Sequence, residues 1–189
     1  MLRKMGLFAS AIVVAAGLIA VPVATAASGN QTHPPASALA PYCGITWGSM
    51  AKNANPVTAP ELTNIRAGRH DCYDRLVLDV RGQNVTGYWV QYVTAVTEDG
   101  SGHVVPVRGG AKLSVSLQAQ AYDAAGRPTY RYANRAELVN VSGYTTFRQV
   151  AWAGSFEGMT TVGLGVRARL PFRVLKLPGR LVIDVAHHW

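Results

Sequence analysis

Near its C-terminus the chain reads GRLVIDVAHHW (Gly179–Trp189), and well upstream it reads DRLVLDVRG (Asp74–Gly82). Successive side chains of a strand point to opposite faces. In the first copy Leu76, Leu78 and Val80 therefore share one face, with Arg75, Val77 and Asp79 on the other. In the second copy Leu181, Ile183 and Val185 oppose Arg180, Val182 and Asp184. Each copy describes a core strand with one apolar face and a charged outer face. If the two copies are neighbours, antiparallel pairing sets Arg75 opposite Asp184, Asp79 opposite Arg180 and Val77 opposite Val182. Parallel pairing in register would oppose like charges, which is unfavourable.

The same alternation recurs along the chain. The clearest case is Lys112 to Ala121, where Leu113, Val115, Leu117, Ala119 and Ala121 alternate with Lys112, Ser114, Ser116, Gln118 and Gln120. That is a strand with one buried face and one wet face. Further strands are expected at Arg75 to Arg81, Tyr88 to Val96, Val104 to Arg108, Glu137 to Val141, Phe147 to Ala153, Thr160 to Val166, Phe172 to Leu177 and Leu181 to Ala186. Turn signals separate them: TEDGSGH carries Asp99-Gly100, and KLPGRL sets Pro178-Gly179 between two apolar runs. The more polar stretch Tyr122 to Tyr144 is expected to hold a long loop or one helical turn. No segment keeps a helical period, so the expected fold is all-β, an antiparallel β-sandwich of short strands with tight turns.

The N-terminus carries other information. Arg3 and Lys4 precede an apolar run from Leu7 to Val21, and Ala24-Thr25-Ala26 offers small residues for cleavage, so residues 1–26 are expected to be a secretory signal peptide. An uncleaved anchor is the competing reading, because the stretch is almost long enough to cross a bilayer. Residues 27–41, small, polar and proline-bearing, are expected to form a flexible leader, and residues 42–189 a single β domain. With 18 basic against 10 acidic residues the whole chain is basic. It stays so after loss of Arg3 and Lys4, and an exported basic protein favours anionic envelope surfaces. Export makes wall polymers better candidates than nucleic acid, although the charge also serves solubility. No stable membrane insertion is expected. Cys43 and Cys72, a pair in an oxidising compartment, are expected to form a disulfide. Two thiols without a clustered His or second Cys pair do not complete a zinc site.

Four segments in order, RHDCYDRLVLDVRG (69–82), GYWVQYV (87–93), GSFEGMTTVGLGV (154–166) and FRVLKLPGRLVIDVAH (172–187), are similar to the AMIN-like domain of secreted actinobacterial proteins. That family is related to the AMIN domain of N-acetylmuramoyl-L-alanine amidases. The resemblance spans roughly Tyr42 to Trp189 and rests on the order and spacing of the segments. It implies a β-sandwich associated with binding peptidoglycan. No second domain is expected beside the module, so the targeting of an attached enzyme is not expected to carry over.

Candidate chemistry is sparse, and no catalytic residue, metal site or cofactor is expected. His187 and His188 point to opposite faces of a strand end and read as a frayed terminus. GSFEG places Phe156 where a nucleophile elbow needs Ser, and Glu157 reads as a turn or salt-bridge residue. The aromatic residues say more. Tyr88 and Tyr92 share one face of their strand, with Trp89 on the other, while Tyr130, Arg131 and Tyr132 sit together near Arg127 and Arg135. Flat rings beside Arg suit the faces and acidic groups of glycans, and also protein interfaces. Tyr88, Tyr92, Arg127, Tyr130 and Arg131 are the expected ligand-binding residues. The expected function is a secreted, non-catalytic binder of a cell-wall glycan or an anionic wall polymer. The alternative is a domain that docks a protein partner through a sheet edge or aromatic patch. With Trp189 directly after the last strand, no sorting signal or lipid attachment site is expected, and retention at the wall would be non-covalent.

Overall fold

A computed structural model of the protein describes residues 41–55, 60–82 and 87–189. The expected signal peptide and all of the expected leader except Pro41 lie outside the described residues. Among the described residues a 3-10 turn at Tyr42–Gly44 precedes eleven strands: β1 (Lys52–Ala54), β2 (Leu62–Arg69), β3 (Tyr73–Val80), β4 (Tyr88–Val93), β5 (Val96–Thr97), β6 (Val104–Val105), β7 (Ala111–Leu117), β8 (Phe147–Phe156), β9 (Met159–Val166), β10 (Phe172–Leu177) and β11 (Arg180–Ala186). One sheet runs β1-β4-β7-β9-β8, a second runs β10-β11-β3-β2, and β5 pairs with β6 as a small hairpin. All of these strand pairs are antiparallel.

The two large sheets pack into the expected sandwich. Its core joins Leu62, Ile65, Leu76, Leu78, Leu181 and Ile183 of the four-stranded sheet to Val90, Leu113, Val115, Val150, Val162 and Leu164 of the five-stranded one. Two hairpins turn tightly, the first of them where the sequence signals it. Pro178-Gly179 joins β10 to β11, with Gly179 at φ 68°. Glu157-Gly158 joins β8 to β9 with φ values of 50° and 80°, as a two-residue turn that follows strand twist requires. Glu157 is thus a turn residue.

The repeat settles the register of the four-stranded sheet. β3 and β11 are antiparallel neighbours with Arg75 opposite Asp184, Val77 opposite Val182 and Asp79 opposite Arg180. One of the two facing charge pairs forms an ion pair. Arg75 binds Asp184 through both carboxylate oxygens, at 2.6 and 2.9 Å. Asp79 instead takes Arg66 of β2, at 2.8 and 3.1 Å, and Arg180 turns back to the carbonyl of Pro178. The outer face is also less wet than a charged face implies, since Val77, Val182 and Asp184 are all buried.

Three departures have local causes. Glu137 to Val141 is not a strand: the Asn134 and Asn140 carboxamides accept hydrogen bonds from the backbone N–H groups two residues on, which favours turns over a ladder. The segment still lies along β8, with the Leu138 N–H donating to Val150 O and the Trp152 N–H to Arg135 O. Strand β2 escapes the alternation test because a bulge between Leu62 and Asn64 shifts its register. His187 is no frayed end. It is buried, with Nε2 3.3 Å from an Asp74 carboxylate whose other oxygen accepts the backbone N–H groups of Thr146 and Phe147.

The Cys43–Cys72 disulfide forms as expected. It fastens the N-terminal turn to the β2–β3 connection.

Candidate functional site

Residues 118–146 leave the five-stranded sheet after β7 and return to it as β8. On the way they cross to the edge of the four-stranded sheet, where the Leu62 N–H donates to Gln120 O and the Thr129 hydroxyl to Leu62 O. The tip is held by one carboxylate. Asp123 Oδ1 accepts the N–H groups of Ala125 and Arg127, and Oδ2 accepts the Arg127 guanidinium at 2.7 Å. These bonds, those from Arg127 foremost, hold the Asp123 carboxyl below its ordinary pKa. Gly126 supplies the positive φ, 74°, that lets the turn close.

This turn delivers Tyr130, Arg131 and Tyr132 to the inner side of edge strand β8. There they meet Trp152. Ring centroids are 5.6 Å apart for Tyr130 and Trp152, 5.2 Å for Tyr132 and Trp152, and 6.2 Å for Tyr130 and Tyr132. Tyr130 and Trp152 are buried and serve as the base of the group, whereas Tyr132 is 42% exposed. Burial pushes the Tyr130 phenol above its ordinary pKa, so it stays a neutral donor. The rings border a hollow of about 450 Å³ that Ala121, Tyr122, Gly126, Pro128, Arg131 and Ser155 complete. Among the described residues Arg131 has no acidic partner. The arrangement offers a flat, partly wet aromatic surface beside a free guanidinium.

The five expected binding residues separate into groups. Tyr130 and Arg131 line this hollow. Arg127 stands behind it, with its guanidinium committed to Asp123. Tyr88 and Tyr92 lie on β4, separated from β8 by two strands of the sheet, and both face inward against the core. The Tyr92 hydroxyl donates to Leu170 O at 2.6 Å and accepts the Leu170 N–H at 3.0 Å. Its ring meets Phe172 edge-on, and burial pushes its pKa up to about 12. Trp89 is the aromatic residue of β4 that faces water. Trp152 was not legible as a site residue, because it alternates in phase with Val150 as any core residue would.

Among the described residues no three His, Cys, Asp or Glu side chains gather as metal ligands. Nor is any helix there long and apolar enough to cross a membrane.

No curated protein and no solved structure matches the chain. Residues 60–187, which hold most of both sheets and the whole aromatic hollow, match the family model of the AMIN-like domain, and the chain belongs to that family.

Proposed function

We propose that the protein is an exported, non-catalytic module that binds peptidoglycan or an anionic polymer attached to it, and that the Tyr130–Tyr132–Trp152 hollow is the contact surface. The observation that carries this reading is the half-exposed Tyr132 ring beside Trp152 and Arg131, which has no acidic partner among the described residues. A pyranose ring presents an apolar face that stacks on such a surface, and Arg131 suits the carboxylates of wall glycans or the phosphates of wall polymers. Membership in the AMIN-like domain family supports a wall-related binding role. The disulfide fits an oxidising, extracytoplasmic location.

The test is co-sedimentation of the exported protein with purified insoluble wall, before and after its anionic polymers are stripped. Binding at low salt with partial retention at about 0.5 M salt is expected, because screening weakens charge contacts more than stacking. Loss of binding on stripping assigns the polymer as ligand; retention assigns the glycan. No sedimentation at any salt would overturn the reading in favour of a protein partner.

A further inference from the structure

A second and larger hollow, of about 760 Å³, lies beside the β5–β6 hairpin. The hairpin reaches the outer face of the five-stranded sheet because β9 carries glycine beneath it. A Cβ at Gly163 would come within 2.7 Å of the Val107 side chain, and one at Gly165 within 1.8 Å of the Arg108 carbonyl oxygen. Val96, Val105 and Val107 then pack on Ala151 and Ala153 as a small cluster separate from the main core.

From this hollow we infer a binding site for a single-chain amphiphile carrying one negative charge. Its walls are mostly apolar, with Ala95, Val104, Val105, Pro106, Val107 and Ala136 among them. Val104 keeps 64% of its surface in water, an apolar contact left unmade. The volume falls in the range of small-ligand sites, which bury an apolar body and orient it with few polar groups.

The walls are also tied together. Glu98 in the hairpin turn binds Arg135, and Arg108 just beyond the hairpin binds Glu137, each at 2.5 Å. The buried side chain of Gln149 accepts the Arg108 N–H and donates to Ala136 O. Hairpin and facing loop are therefore held at a set separation before any ligand arrives, which reduces the ordering cost of binding.

Charge selects the ligand class. Of the three cations bordering the hollow, Arg108 and Arg135 are each neutralised by a carboxylate. Lys112 has no acidic partner among the described residues. One uncompensated positive charge beside apolar walls suits one anionic head on a hydrocarbon body. A polyanion needs several free cations, and a glycan needs exposed ring faces. The nearest aromatic group, Trp152, is nearly buried.

Calorimetric titration of the exported protein with dodecanoate, below its micelle concentration, tests the inference. Saturable one-to-one binding is expected, with dodecyltrimethylammonium binding more weakly. Lys112→Met should weaken dodecanoate binding by up to about fivefold, the scale of an exposed charge pair, while leaving neutral decanol unaffected. Ala136→Phe and Ala95→Phe, both at exposed positions, should each block uptake of both ligands without lowering the melting temperature. No saturable dodecanoate binding, or binding indifferent to both filling variants, would overturn the site. Equal binding of the cationic amphiphile, or indifference to Lys112→Met, would overturn the charge assignment. Tyr132→Ala, which tests the wall contact, should leave dodecanoate binding intact, so each reading fails separately.

Discussion

Two surfaces of this sandwich bring arginine and aromatic rings together, and they differ in what those groups have left to offer. On the outer face of the four-stranded sheet Arg75 and Arg173 both bind the fully buried Asp184. Both guanidiniums also lie 5.2 Å from the Tyr73 ring, and Arg173 lies 5.5 Å from Trp47. Their donors and ring faces are largely spent on one another. In the hollow at β8, Tyr132 keeps a wet ring and Arg131 has no acidic partner among the described residues. The same residue types are therefore spent on structure on one surface and left available for contact on the other, and the unspent valence separates the two. Substitutions on the first surface should cost stability; those on the second should cost binding.

The largest effect on stability should come from the disulfide that supports the spent face. Cys43 anchors the turn whose Tyr42 carbonyl holds the Trp47 indole at 2.9 Å. With the two cysteines 29 positions apart, reduction should cost roughly 3–4 kcal/mol on the chain-entropy account. For a chain of this size that lowers Tm by about 10 °C. Thermal unfolding with and without reductant measures it.

Next is Asp184→Ala, which strands two guanidiniums on a mostly buried face. Breaking a buried ion pair from one side costs about 3–5 kcal/mol. The low end applies here, because the Arg75 and Arg173 side chains keep about a quarter of their surface in water. Asp79→Ala removes the more exposed pair with Arg66 and should cost less than about 1 kcal/mol. Urea unfolding that gives the two variants equal losses would erase the difference between the spent Asp184 cluster and an ordinary surface pair.

How far the sequence led can be judged on these same residues. The β3–β11 register was legible because two charges of opposite sign repeat at the same spacing in both copies. The true partner of Asp79 was not, because Arg66 belongs to β2, whose bulge breaks the alternation that identifies a strand. The buried Asp74–His187 pair joins residues 113 apart, and nothing local announces it. Tyr130 and Arg131 were legible as a cluster of unlike neighbours in a polar segment. Trp152 was hidden because only the order of strands makes β8 an edge, and strand order is a product of the whole chain.

Tyr92 tests the boundary between the two classes, since it was expected to bind ligand and sits in the core. Tyr92→Phe removes a hydroxyl that satisfies both backbone groups of Leu170, and should cost about 1–2 kcal/mol. Wall binding should not change. A pH dependence accompanies this. With its folded pKa raised from 10.0 to about 12, Tyr92 contributes stability that is fully present below the unfolded value and lost as pH rises through the folded one. Wild-type stability should therefore fall more steeply than that of the Phe variant between those two values, as urea unfolding across the window would show. Parallel curves would mean that the phenol is as wet in the folded protein as in the unfolded chain.

The smallest effect on stability is expected at Tyr132, and there the comparison is sharpest. Its ring rests on Trp152 at the rim rather than in the core, and nearly half of it faces water. Tyr132→Ala removes no buried hydrogen bond and opens no enclosed cavity, so the melting temperature should move little, within about 0.5 kcal/mol of wild type. Sedimentation with wall should respond differently. A stacked contact is worth on the order of 1 kcal/mol, so the fraction bound at high salt, where stacking is the main remaining contribution, should drop severalfold. Arg131→Ala should act in the opposite regime, weakening binding at low salt and changing little at high salt, because a solvent-facing guanidinium is screened. A Tyr132 variant that binds wall normally but melts early would place this ring among the spent groups, and the contact surface would have to be sought elsewhere on the sandwich.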